Sequence, residues 1–517
     1  MDNFKKKKTN NGLTRGIIFA VSILVQMLWL VLLLIFLQGY FPVASVIFSI
    51  IALIVALYVF GQNMNSAFKF PWLILILAFP IVGLSLYFLT GHSELNKRQI
   101  RRFNQVAEWV RSFGERYTHD DKRFKDVDIH ISNQSRYISD IAHYPAHIGS
   151  RVTYYSEASD CYREMIEEAK KAQKFIFMEY HAIEDSSCCA ELFDVLEERA
   201  KNGVDVRLIY DEVGSIVFIN RDFARDMEKR GISCRIFNPI VPTINVLMNN
   251  RDHRKITVID GIVSFTGGFN LADEYFNLVS PYGYWKDTGV KITGDATLNL
   301  TTIFLEMWNQ IKQSDTTDAI KGFLTASKNA TVDSKNYIVQ PYADSPLDNE
   351  TVGKNVYLNI ISAAKKYIWI STPYLIIDDE TFSALTLAAG RGVDVRIVIP
   401  NIPDKKIVYK ATKTYATWLA KDNVKIYTYT PGFNHAKQIL CDDEVAACGT
   451  INFDYRSLYF HFENSVFFTD KSAMASMKKD FRNIFAESFD STESFANRVK
   501  RRNILYDNII RLIAPLF

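Results

Sequence analysis

The chain has 517 residues, of which 48% are apolar and 13% aromatic, and 60 basic residues stand against 57 acidic ones for a formal charge of +3. That balance excludes a polycation that coats nucleic acid and an acidic solvating tail, and the apolar share excludes a disordered chain. At roughly 150 residues per domain the length allows about three units.

The apolar residues are concentrated at the start. Neither a charged residue nor a histidine occurs from Gly16 to Phe68, and a second uncharged run, Phe70 to Gly91, follows Lys69. A helix needs about 20 apolar residues to cross ~30 Å of hydrocarbon. The first run therefore predicts two spans, 17–37 and 43–60, joined by the turn-like Gln38-Gly39-Tyr40-Phe41-Pro42. The basic start (Lys5, Lys6, Lys7, Lys8, Arg15) fits a signal peptide, but the stretch is too long and lacks a small-residue cleavage site. An anchor is expected. The third apolar segment, 70–90, contains Pro71, Pro80 and Gly83, so it spans with a kink, re-enters, or lies at the interface. Five basic residues and one acid precede the first run, and nine basic against five acidic residues fill 92–125. Both flanks satisfy the positive-inside rule only with an even number of crossings. The prediction is two full spans, a third segment that does not span, and a cytoplasmic body on a multi-pass cell-membrane anchor.

This divides the chain into a basic cytoplasmic tail (1–15), a membrane region (16–91), a basic juxtamembrane linker (92–147) and a soluble body. Six cysteines, Cys161, Cys188, Cys189, Cys234, Cys441 and Cys448, form neither a Cys-x-x-Cys pair nor a zinc-type spacing with histidine, so reduced thiols are expected.

The body reads as one plan used twice. In the first copy Ala169-Lys170-Lys171 leads to the apolar run Phe175–Met178, a helical stretch Leu192–Ala200, Lys201-Asn202-Gly203, and the strand-like Val204–Tyr210. In the second, Ala364-Lys365-Lys366 leads to Tyr367–Ile370, a helical stretch to Ala389, Gly390-Arg391-Gly392, and Val393–Ile399. A strand that feeds a helix ending at glycine and returns to a Val/Ile-rich strand is a β-α-β crossover with a largely buried sheet. The expected fold class is α/β, two tandem lobes (148–330 and 331–517) in pseudo-twofold packing, with a site at the seam fed by both.

Each copy also carries His-x-Lys, four residues, Asp, six residues, Gly-x-x-Asn. These are His253, Lys255, Asp260, Gly267 and Asn270, then His435, Lys437, Asp442, Gly449 and Asn452. One copy is suggestive; two at equivalent points of a repeat are specific. His253–Ile259 reads as a strand and Asp260-Gly261 as a hairpin turn. Residues two apart on a strand share a face, so imidazole and ammonium point together. That pair repels a metal cation and suits an anion. Two such sets, with an amide from each asparagine, surround one tetrahedral anion and support phosphoryl transfer by fixed charges instead of Mg²⁺. Asp260 and Asp442 are grouped with the motif's catalytic candidates, although Asp260 serves the hairpin more than the chemistry and both are expected to be structural or supporting. Gly267, Gly268 and Gly449 are expected at tight backbone turns near the anion.

The duplicated motif resembles the HKD signature of the phospholipase D superfamily, and with the apolar start the chain resembles the bacterial cardiolipin synthases within it. Trp72 through Pro80, Tyr210–Ser215, Asn250–Lys255, Gly267–Asn270 with Asp273-Glu274-Tyr275, and Pro431–Lys437 carry the resemblance, which covers nearly everything after residue 15. No motif His, Lys, Asp or Asn departs from the pattern. The resemblance implies reversible phosphatidyl transfer between two phosphatidylglycerol molecules, giving cardiolipin and glycerol. One histidine attacks the phosphodiester to form a phosphohistidine. The other protonates the leaving glycerol and then deprotonates the incoming hydroxyl. Lys255, Lys437, Asn270 and Asn452 hold the phosphate oxygens. A nucleophilic histidine needs an acceptor on its other ring nitrogen. Asp287 in the first half and Glu463, 28 residues after His435 in the second, each precede a valine by three and are expected to be these orienters.

Phosphatidylglycerol and anionic lipids are the expected partners, without nucleic acid. No nucleotide loop, haem motif or metal cluster is found, and no cofactor is expected. The basic linker favours an anionic leaflet. The tail, Arg498 to Leu516, is amphipathic and serves either as an interfacial helix or as a terminal core helix. A hydrolytic phospholipase D, another phosphatidyltransferase, a nuclease and a catalytically silent lipid-binding protein are the competing functions, and the intact motifs argue against the last.

Overall fold

The computed structural model describes residues 42–88, 97–113, 127–239, 250–326, 337–348, 350–498 and 504–516, with six helical positions between 21 and 32. The first expected span therefore lies largely outside the described residues. The second falls on the helix Pro42–Gly61, 20 uncharged residues long. Among the described residues no helix is long and apolar enough to cross a membrane.

The third apolar segment breaks. The helix Ser66–Ala78 stops at Phe79, because Pro80 disfavours helical backbone in the residue before it, and Pro80 opens the short helix Pro80–Leu86. The second helix folds back on the first. A Cβ on Gly83 would lie inside contact distance of the Leu75 carbonyl and 2.7 Å from the Ile76 nitrogen, so only glycine permits the approach. Ala52, Ala56, Val59, Ile76, Leu84 and Tyr87 bury one another in this helical cluster. Thirteen residues of helix rise about 20 Å, short of a ~30 Å crossing.

The body is the expected α/β repeat. In the first lobe seven strands lie in the spatial order Arg151–Tyr155, Gly289–Thr293, Val263–Gly267, Lys255–Ile259, Phe175–Tyr180, Asp205–Asp211, Ser233–Phe237. The second lobe repeats that order with Ile338–Asp344, Glu463–Phe468, Val445–Gly449, Gln438–Cys441, Tyr367–Ser371, Asp394–Pro400 and Lys425–Tyr429. His147–Ile148 and Ser488–Asp490 add one strand to each edge of this second sheet, making nine. His147–Ile148, at the expected start of the first lobe, thus pairs with Ile338–Asp344 of the second. The central strands Phe175–Tyr180 and Tyr367–Ser371 are buried at every position, which is why both read as continuous apolar runs.

The lobes share a core. The helix Thr297–Ile311 is buried along most of its length, and Phe304 stacks on Phe177 at 4.6 Å. Asn299 of this helix, which follows the last strand of the first lobe, donates to the carbonyls of Pro145 and Pro341, both at 2.8 Å, and so is bonded to the chain before His147–Ile148 and to the strand Ile338–Asp344 of the second sheet. All six cysteines are buried, each as a free thiol. The tail helix Ile504–Ile513 docks on the second lobe: Asp507 accepts from Thr414 at 3.3 Å, Arg511 lies over Trp418, and Ile510 is buried while Leu505 and Ile509 stay exposed. Of the two roles open to the tail, packing as a terminal helix is the one these contacts match.

Candidate active site

His253 and Lys255 enter the seam at the start of the strand Lys255–Ile259, and Lys437 immediately precedes the equivalent strand Gln438–Cys441. The strand begins at Lys255 and not at His253 as expected. His253 instead forms its backbone bond across the lobes, its N–H donating to the Phe462 carbonyl at 2.9 Å. His435 does the same in mirror fashion, donating to Lys286 at 2.7 Å. Each histidine is thus pinned to the opposite lobe.

The acids follow the same crossing. Glu463 of the second lobe approaches Nδ1 of His253 at 2.9 and 3.0 Å, and Asp287 of the first lobe approaches Nδ1 of His435 at 2.6 Å. Glu463 and Asp287 are fully buried. Sequence order sets each acid downstream of the histidine in its own half, whereas each serves the histidine of the other half. With Nδ1–H donated to a carboxylate, Nε2 is the nitrogen left to react. Lys255 and Lys437 lie beside the imidazoles, each ammonium donating to the carbonyl of its own motif histidine.

The site is buried, and its basic side chains crowd together beside two carboxylates. Burial, then the charges of Lys255, Lys437 and His435, hold His253 well below the usual imidazole range. Burial and Lys437 push His435 down to about 4, with Asp287 opposing. Burial lowers Lys255 to about 8 and Lys437 to about 7. These cations crowd one another across the seam, and an anion placed among them relieves the crowding.

Several expectations need correction. Asp260 and Asp442 are not in the cleft. Each sits at the far end of its strand, roughly 16 Å along from the motif lysine. The Asp260 carboxylate accepts from the backbone N–H of Gln173, Lys174 and Phe175, and Asp442 from Lys365, Lys366 and Tyr367, at 2.6–2.9 Å. They fasten the Lys-Lys loop of each repeat to its hairpin, whose Asp260-Gly261 turn has φ of 53° and 71° as the sequence predicted. Gly267, Gly268 and Gly449 are not positive-φ turns. They are close-approach positions: a Cβ on Gly267 would meet Gly289 Cα at 2.8 Å, and one on Gly268 would meet Asp287 Cγ at 3.0 Å. The amide of Asn270 is occupied, accepting from Ala182 N–H and donating to Tyr275. Asn452 is buried with its amide oxygen unpartnered.

Four neighbours escaped the sequence reading. Thr450 occupies the position of Gly268 in the second copy and donates its hydroxyl to Glu463. The rings of His181 and His461 lie 5.1 and 5.6 Å from that of His253, and Trp285, the counterpart of His461, lies 5.2 Å from His435. Thr450 was within reach of the motif alignment; His181 and His461 gave no periodic or spacing signal. Behind His253 a second asymmetry is buried. Glu179, Asp252 and Arg254 stand where the other lobe has Ser371, Asn434 and Ala436, and Asn434 donates to Ser371 at 2.8 Å. Burial and the Asp252 charge hold Glu179 well above the carboxylate range. Among the described residues His253, His461 and Glu463 form a group with the spacing of a metal site, their ligand atoms within 4.8 Å of one another. The neighbouring ammonium groups of Lys255 and Lys437 oppose a cation there.

Known proteins resemble this chain over most of its length. Residues 162–308 and 357–485 match a family model described as cardiolipin synthase, PLD-like domain, and 47–92 match one described as the phospholipase D-nuclease N-terminal region. The chain belongs to the cardiolipin synthase family of the phospholipase D superfamily. A cardiolipin synthase of Alkalihalophilus pseudofirmus is 32% identical over 91% of this chain and 93% of its own. An uncharacterized protein of Streptococcus mutans is 38% identical over 89% of this chain and 99% of its own. The solved phosphatidylserine synthase of Haemophilus influenzae, 13% identical, aligns with a TM-score of 0.55 over 74% of this chain and all of its own, a likeness of fold.

Proposed function

We propose that the chain is a membrane-held phosphatidyltransferase that converts two phosphatidylglycerol molecules into cardiolipin and glycerol. One observation carries the reading: two buried imidazoles, each held at Nδ1 by a carboxylate from the opposite lobe, flank a pair of buried ammonium groups. Phosphodiester chemistry needs these parts. The bound phosphate anion favours the imidazolium form of the other histidine; Nε2 of the first attacks phosphorus and displaces the headgroup glycerol, which takes a proton from that imidazolium. The resulting phosphohistidine is attacked by the terminal hydroxyl of a second phosphatidylglycerol, whose proton returns to that second imidazole. The carboxylates hold each ring in one tautomer and stabilise its charged form. Lys255 and Lys437 balance the charge that builds on the phosphoryl oxygens, with Asn452 as a further donor.

Supporting the membrane part of the proposal are the uncharged run before residue 69 and the match over 47–92. The reading is of two spans near 17–37 and 43–60, a folded-back third segment that does not cross, and a cytoplasmic body. Protease added outside intact cells leaves the body whole on this reading and cuts it on the opposite one.

Purified full chain in mixed micelles with phosphatidylglycerol tests the chemistry. Cardiolipin with equimolar glycerol is expected, and His253→Ala or His435→Ala abolishes it. Phosphatidic acid as the product would make the chain a hydrolase, and full turnover after both substitutions would end the proposal.

A further inference from the structure

The membrane-proximal helix touches the segment that carries Glu463. Asn65 caps the helix Ser66–Ala78 by accepting from Ala67 N–H at 2.9 Å, and its amide donates to the Tyr459 hydroxyl at 2.9 Å. The same hydroxyl donates to Asp378 and accepts from Lys354 at 3.1 Å. One turn into the helix, Phe68 meets Tyr455, Tyr459 and Phe460 edge-on, with ring centroids 5.6, 5.2 and 5.0 Å away. The carboxy-terminal turn Ala514–Leu516 lies against both partners and closes the joint.

Tyr455–Tyr459 is a short helix, and the chain runs from it through Phe460, His461 and Phe462 straight to Glu463. Phe462 is bonded on both sides to the chain around His253, donating to Arg251 and accepting from His253, both at 2.9 Å. Only three residues separate the aromatic joint at Tyr459 from the carboxylate on the His253 imidazole. The segment before Asp287 is held to the chain around His435 in the same way, Tyr284–Lys286 pairing as a strand with Gly432–Asn434. Both acids are thus held by the body, and the segment before Glu463 is in addition packed against Asn65 and Phe68 of the membrane region.

We propose that Asn65 and Phe68 are positioning residues for the reaction: they fix the helix Tyr455–Tyr459 and through it the placement of Glu463 on His253. This rests on the assignment of Glu463 as the orienter of a reacting histidine. The membrane region then does more than hold the body at the lipid surface. It completes one of the two catalytic pairs, so the body works at full rate only when docked on its anchor. An ångström of displacement at a charge-assisted hydrogen bond costs about tenfold or more in rate.

The test uses the full chain in phosphatidylglycerol micelles, with Phe68→Ala, Glu463→Gln and the double variant. Phe68→Ala is expected to lower kcat about tenfold with KM within about twofold. Its pH–rate profile should move toward acid, because His253 loses part of the carboxylate that favours its protonated form. On top of Glu463→Gln the same substitution should cost less than about twofold, since the interaction it acts through is already gone. Phe68→Leu should restore most of the rate, and membrane flotation should be unchanged throughout. A wild-type kcat in Phe68→Ala, or a full tenfold loss repeated in the Glu463→Gln background, overturns the proposal. If Glu463→Gln itself turns over normally, the assignment of Glu463 fails first and this proposal goes with it. Should Phe68→Ala melt early, Asn65→Ala is measured in the same cycle with the same criteria.

Discussion

Gly268→Ala makes a sharp test of the crossed acid–histidine pairs. The added methyl would sit 3.0 Å from Asp287 Cγ and 3.1 Å from the His435 carbonyl oxygen, and closer still to Asp287 Oδ1. Backbone cannot yield on the carbonyl side, because His435 N–H is bonded to Lys286. The carboxylate must move instead, by about an ångström to regain carbon–carbon contact distance. That stretches the 2.6 Å bond to His435 beyond hydrogen-bond length. A hydrogen bond to a charged group contributes about 1.5–3 kcal/mol, which at 1.36 kcal/mol per decade predicts a ten- to hundredfold fall in kcat. The assay is cardiolipin and glycerol release from phosphatidylglycerol micelles, with a thermal melt to establish that the variant is folded. Asp287→Asn should show a similar loss, and the double variant should lose no more than Asp287→Asn alone. A folded Gly268→Ala enzyme with wild-type kcat, or losses that multiply in the double variant, would refute the reasoning.

Two further outcomes follow from the charges and the hairpins. With Lys437 at about 7 and Lys255 at about 8, kcat/KM for an anionic lipid should fall as pH rises from 7 to 9, because the ammonium groups that bind phosphate lose their protons. Stability should move the other way over about pH 7 to 10.5: the folded chain has released these protons while the unfolded chain still binds them, so Tm rises with pH as far as these two lysines contribute. Parallel pH series of rate and melting check both signs. Asp442→Ala should cost stability and spare chemistry. Losing the acceptor of three backbone N–H groups at a residue with φ of 55° is expected to cost about 2–4 kcal/mol, seen as a lowered Tm with kcat at low temperature near wild type.

The repeat, the α/β class and the motif histidines and lysines were legible in the sequence because they depend on local patterns. Buried strands read as apolar runs, a crossover helix ends at glycine, and residues two apart share a face whatever surrounds them. The hairpin at Asp260-Gly261 was legible for the same reason, since two adjacent positive φ values follow from that dipeptide. Asp287 and Glu463 were picked out by parallel position, but nothing local says that each reaches across the seam.

That crossing, the close approaches at Gly267, Gly268 and Gly449, and the packing of Phe68 on Tyr455, Tyr459 and Phe460 all join residues far apart in the chain. Sequence periodicity records which side of an element faces inward. It does not record which element of the other lobe faces it there, because that depends on how two complete sheets pack around the shared helix Thr297–Ile311. The paired histidines and lysines proposed to react were therefore determined by the sequence alone, and the partners that hold each of them in place were decided only when the two lobes came together.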